Sequence, residues 1–212
     1  MSRDRQQEKA RRSRERLLEA AGKLLSEKNI ADVGVREIAS EAGCTTGTFY
    51  HYFTGKDDII HHLYEGHDAE MGDILRQMVQ TPGMYCRKIQ TFFAQNLSGA
   101  VLMDGWEFTC HRVFQVRRHS GDENQPYVGM QELIQKAIEA GELQNKVPAK
   151  EINEYLFVVF RGILYEWCIC SPEDLFPLSE RLEKMIGYAL RSLNIPCELQ
   201  MPETVSGQIN DS

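Results

Sequence analysis

Between positions 45 and 56 the chain sets Thr45, Thr46, Gly47 and Thr48 ahead of Tyr50, His51 and Tyr52, and closes the run with Lys56. Short hydroxyls, phenols, an imidazole and an ammonium are the donors that suit phosphate oxygens and base edges. Thr45 is placed to cap a helix through its hydroxyl, which turns free backbone N–H groups and a positive dipole end towards an anion. Gly47 removes a side chain where a backbone must come close to its partner. Phe49 and Phe53, interleaved with these groups, read as core.

Three other groupings invite chemistry. Cys110-His111 is the obvious nucleophile and base of a small helical enzyme, but neighbours on a helix point about 100° apart and do not meet. No glycine-rich phosphate loop, serine elbow or paired-carboxylate pattern stands elsewhere in the chain, so neither an enzyme nor a cofactor is expected. His61, His62, Glu65 and His67 put His61 and Glu65 one turn apart, in the manner of metal ligands. With no third ligand in register they read as a solvated helix face, and no metal is expected. Cys168-x-Cys170, with Cys110, is a candidate redox or metal sensor, although a single intervening residue is poor spacing for a zinc knuckle.

The net charge of −7 over 212 residues argues against a nucleic-acid partner until it is divided along the chain. Residues 1–56 carry 11 Lys and Arg against 8 Asp and Glu, whereas the remainder carries 13 against 23. A basic head on an acidic body suits a protein whose N-terminal part alone meets a polyanion. The arginines and lysines of positions 3–16 belong to that head, either as phosphate contacts or as a solvated helix face. The apolar run Tyr155–Phe160 stops at Arg161, far short of the roughly 18 residues that span a bilayer. No apolar segment with a cleavage site follows the Arg-rich start, so no membrane contact is expected and the cytoplasm is the expected compartment. Six scattered cysteines are too sparse for a disulfide scaffold.

Apolar positions recur at helical spacing almost throughout and no segment alternates with period two, so an all-α fold is expected. Leu17, Ala21, Leu24 and Leu25 stripe a helix over 7–28, and short helices over 35–42 and 45–52, separated by Gly43, make a helix-turn-helix. Asp57 and Asp58 open a long helix to about 80, which carries Gly66 and Gly72, residues that mark bending or close approach. Further helices are expected near 83–99, 104–118, 126–141, 149–170 and 174–194. The division this implies is a DNA-binding domain at 1–56, a larger helical domain at 57–195 and a disordered tail at 196–212.

Residues 33–58, VGVREIASEAGCTTGTFYHYFTGKDD, resemble the TetR family of transcription regulators. The resemblance lies in Ile38 and Ala39, the Ala42-Gly43 turn, and the ordered run from Thr45 to Phe53 followed by Lys56. It implies an N-terminal three-helix helix-turn-helix domain and a C-terminal helical domain for ligand sensing and dimerisation. The implied function is that of a homodimeric, ligand-responsive regulator, a repressor released from a palindromic double-stranded DNA operator by a small-molecule effector. Arg36, Thr45, Thr46, Gly47, Thr48, Tyr50, His51, Tyr52 and Lys56 are then the DNA contacts, with Lys56 on phosphate. Two features depart from the pattern: Val33 and Gly34 stand where a hydroxyl residue commonly opens the second helix, and Cys44 replaces a small apolar residue.

In the family the last two helices pair with those of a second subunit in a four-helix bundle. Leu178, Leu182, Met185, Ile186, Ala189 and Leu190 form the apolar stripe expected at that interface, and Tyr155 to Trp167, apolar nearly all round, needs cover on both sides. Met71, Phe92, Phe93, Trp106, Cys110, Phe114 and Tyr127 are the aromatic and adaptable residues expected to line an effector pocket. The alternative is a redox- or metal-responsive regulator using Cys168 and Cys170.

Overall fold

The computed structural model describes residues 2–115, 125–144 and 147–194, and among them every regular element is helical. The expected tail at 196–212 lies outside the described residues. Three helices form the N-terminal unit: α1 (Ser2–Glu27), α2 (Val35–Glu41) and α3 (Thr46–Tyr52). The stripe Leu17, Ala20, Ala21, Leu24 and Leu25 of α1 is buried against Ile38 and Ala39 of α2 and Phe49 of α3. Gly43, at φ +60°, supplies the left-handed turn between α2 and α3.

The rest of the chain builds a second core. It comprises α4 (Lys56–Gln80), α5 (Tyr85–Thr91), a π-helical stretch (Phe92–Leu97), α6 (Ser98–Asp104), α7 (Trp106–Gln115), α8 (Gln125–Glu139), α9 (Ala149–Ile169) and α10 (Leu178–Ser192). The helix expected at 83–99 runs on through the π stretch to Asp104, where Gly105 at φ +80° ends it. The helix expected from 174 starts at Leu178 instead, after a 3₁₀ turn at Pro172–Asp174. Pro177 is the cause: it has no N–H to give a helix and disfavours helical backbone at Phe176.

Two elements belong to both cores. Helix α4 buries Ile59, Ile60 and Tyr64 in the N-terminal core and Met71 and Leu75 in the second. Helix α7 sends Phe108 into the N-terminal core while Trp106, Cys110 and Val113 pack on the second. The most extensive helix pairing is α4 on α8. A Cβ at Gly72 would stand 2.7 Å from the Gln125 Cβ, and one at Gly129 would stand 2.9 Å from the Leu75 Cβ, so both glycines let backbones approach. Of the two readings open for Gly72, close approach is the one seen.

Candidate nucleic-acid interface

The tip of α3 is built by its cap. Thr45, extended at φ −89°, accepts the Thr48 N–H on its hydroxyl at 3.1 Å, and the two hydroxyls lie 3.0 Å apart. The Thr48 side chain is therefore turned back to the cap, while Thr45, Thr46 and Gly47 are exposed. Gly47 has ordinary room for a Cβ, its nearest neighbour being Thr45 Oγ1 at 3.6 Å, so packing within the chain does not require glycine there. Phe49 and Phe53 are buried, their rings 5.6 Å apart, and they seat the helix on the N-terminal core. Tyr50 and His51 point outward, Tyr50 60% exposed. Tyr52 is half-buried against His51, with ring centroids 4.8 Å apart, and Arg36 stands exposed on α2.

Gly34 is the extended N-cap of α2 and makes no side-chain bond, in line with the missing hydroxyl. Two exposed ion pairs also reach α2, from Lys23 of α1 to Glu41 at 2.6 Å and from Lys28, just past the end of α1, to Glu37 at 2.5 Å. Cys44 is partly buried rather than plain core, and its sulfur meets the Arg16 guanidinium at 3.6 Å.

Lys56 has a second role within the chain. Its ammonium donates to the Ile30 carbonyl at 2.7 Å, closing the α1–α2 loop onto the start of α4. A lysine carries three N–H donors, so this bond leaves capacity for a phosphate but makes the residue structural as well. Asp58, expected only as an acid at the start of the long helix, also accepts both the backbone N–H and the hydroxyl of Thr54 on its carboxylate, at 2.7 and 3.1 Å. The Thr54 N–H, helped by its hydroxyl, holds that carboxyl below its ordinary range. The signal was legible in hindsight: an acid three residues after the cap position reaches back to the incoming chain.

The other expected residues separate. Met71, Phe92 and Phe93 are buried in the second core, with Trp106, Cys110 and Tyr127 partly buried around it. Phe114 is the exception: it is 47% exposed, its ring edge-on to Tyr165 at the surface. A recess of about 240 Å³ between α5 and α10 is lined by Arg87, Gln90, Thr91, Ala94, Gln95 and Glu183, none of the residues expected to line a pocket.

The expected dimer stripe is also corrected. Leu178, Leu182, Ile186, Ala189 and Leu190 are buried in the chain's own core, because α10 turns that face onto α9 and the π-helical stretch; Met185 alone of the six is exposed. On α9 and α10 the large apolar side chains left exposed are Tyr155, Val158, Tyr165, Ile169, Met185 and Tyr188.

Cys110 and His111 do not form a dyad. The Cys110 thiol faces the Cys168 carbonyl at 3.5 Å, and His111 Nδ1 lies 3.0 Å from the Tyr64 hydroxyl. Burial pushes the Cys168 thiol up to about 12, while Cys170 turns to the Glu166 carbonyl, so the two thiols are not presented together. His61 and His62 both turn to Glu65, His67 turns to Asp104, and among the described residues no three such groups gather into a metal site.

Residues 17–63 match the family described as bacterial regulatory proteins, tetR family. Over 84 residues the chain is 31% identical to the HTH-type transcriptional regulator AcrR of Shigella flexneri, a match spanning 39% of this chain and 39% of that curated relative. Two solved structures share the fold across most of the chain. The first is FadR of Bacillus subtilis in complex with stearoyl-CoA, at TM-score 0.65 and 15% identity, covering 85% of this chain and 98% of that one. The second is SmeT, the repressor of the Stenotrophomonas maltophilia multidrug efflux pump SmeDEF, at TM-score 0.68 and 15% identity, covering 84% and 89%. No helix among the described residues is long and apolar enough to cross a membrane. The capped tip of α3 lies within the matched segment, so residues 17–63 carry the helix-turn-helix of the tetR family of bacterial regulatory proteins.

Proposed function

We propose that the chain is a homodimeric repressor that binds a palindromic operator in the cytoplasm and is released from it by a small molecule. The observation that carries this is the exposed polar face of Arg36, Thr45, Thr46, Gly47, Tyr50 and His51, set on the buried pair Phe49 and Phe53. A helix tip of small hydroxyls beside open N–H groups fits the major groove, with Thr46 against base edges. Thr48, Tyr52 and Lys56 act at the margins of this face, Lys56 towards phosphate. The second subunit is taken to sit on the uncovered face of α9 and α10 at Val158, Tyr165, Ile169, Met185 and Tyr188. Gly162 lies exposed within that face and has open space at its Cβ, which suits close helix approach. A small-molecule signal is preferred over a thiol signal because Cys168 is buried, with burial raising its thiol pKa, while Cys170 turns to the Glu166 carbonyl, so the two are not presented as a pair. The domain division at 56 and 195 remains part of this proposal.

Selection from random duplex DNA by the purified full-length protein tests the reading. The expected result is a two-fold-symmetric site, with Thr46→Ala changing the preferred bases. Recovery of no enriched sequence, or of an asymmetric one bound by a monomer, would refute it.

A further inference from the structure

Asn153 of α9 is fully buried, yet only half of its amide is used. Nδ2 donates to the Tyr127 carbonyl at 2.8 Å, whereas Oδ1 has no partner. Its surroundings are aromatic. Phe157, one turn further along α9, meets Phe93 at 5.3 Å and Tyr127 at 5.6 Å between ring centroids, and Phe160 lies 5.8 Å from Phe93. A buried amide oxygen without a donor is unfavourable, and its presence calls for an explanation other than packing. Tyr127 and Phe157 are only partly buried, so they can swing outward while Phe93 and Phe160 stay in the core. Edge-on and tilted contacts are the arrangements aromatic rings prefer with one another, so an incoming ring in the place of Phe157 would meet Phe93 in the same way, and one in the place of Tyr127 would meet Phe157.

We propose that Asn153 and these aromatic rings recognise the effector, and that the effector is a planar aromatic molecule whose N–H or O–H group donates to Asn153 Oδ1. This rests on the ligand-responsive reading above and narrows it to a chemical class. The flat body takes its place among Phe93, Tyr127 and Phe157, and the donor supplies the bond the amide lacks. Methylating the donor removes that bond and puts a methyl group against the oxygen, so selectivity resides in one side chain.

Calorimetric titration of the full-length protein with indole and 1-naphthol, each against its N-methyl or O-methyl derivative, tests the proposal. The donors are expected to bind at least about tenfold more tightly than the methylated forms. Asn153→Leu is expected to abolish that preference and to raise the melting temperature of the unliganded protein. Should the leucine variant not fold, Asn153→Ala is read for the same loss of preference. Equal binding of donor and methylated forms, no binding of any of the four, or a preference that survives both substitutions would overturn the proposal. DNA selection separates this from the regulator reading. Donor-selective binding by a chain that enriches no DNA sequence keeps the site and removes the regulator, and the converse result does the reverse.

Discussion

At the scale of single residues, the cap of α3 and the anchor of α4 carry both stability and recognition. Thr45→Ala removes the bond to the Thr48 N–H and is expected to cost about 1 kcal/mol, with Thr45→Ser restoring most of it; thermal unfolding of the three proteins checks this. Lys56→Ala is expected to lower the melting temperature by losing the Ile30 bond, and also to reduce the salt dependence of DNA binding by about one unit of slope. A loss of DNA affinity with unchanged melting would leave Lys56 a phosphate contact alone. The histidines near Tyr64 pull in opposite directions. The Asp104 carboxylate, 3.3 Å from Nδ1, raises the His67 pKa above its ordinary 6.5, so its contribution is full below that pH and fades as pH rises through the folded value. Burial lowers the His111 pKa, so its contribution is full above 6.5 and fades as pH falls. His67→Gln therefore moves the pH of maximum melting temperature upward, and His111→Gln moves it downward. The exposed donors of α3 could be read from residue types, whereas the engagement of Lys56 with Ile30 could not, because it depends on where a loop 26 positions away comes to rest.

At the scale of elements, the α4–α8 crossing sets what can change. Gly72→Ala and Gly129→Ala each force a methyl into contact with Gln125 or Leu75 and are expected to destabilise by about 1–3 kcal/mol. Gly66 has nothing within 4 Å of its Cβ position, so Gly66→Ala is expected to stabilise by up to about 1 kcal/mol. Denaturant titration of the three variants distinguishes the positions; equal effects would refute the close crossing. The course of most helices was legible from apolar spacing, and α9 was bounded to within one residue at its end, but the segment expected as one helix at 83–99 is built as α5, the π-helical stretch and the start of α6. The π-helical stretch was not legible, since nothing in the residue types from Phe92 to Leu97 distinguishes its wider i→i+5 bonding from ordinary helix. Nor was the orientation of α10. A stripe at helical spacing says that one face is covered, and both the chain's own core and a partner subunit satisfy it.

At the scale of the whole molecule, that ambiguity becomes a test. Val158→Lys with Ile169→Lys is expected to give folded monomers that lose operator binding, whereas Leu182→Lys is expected to unfold the chain rather than separate subunits. Sedimentation beside circular dichroism checks both; a folded monomer from Leu182→Lys would return the interface to the leucine face. The placement of Phe108 reaches further still. This ring stands in α7, more than forty residues past the helix-turn-helix, yet it is 2% exposed within the N-terminal core and stacks on Tyr64 with centroids 5.0 Å apart. A fragment ending with α4 would keep every residue that faces DNA and still have a phenyl-sized void beneath α1 and α4. Cleaving the chain after α4 is therefore expected to loosen the reading head without touching it. Adding back the severed C-terminal portion should tighten it again.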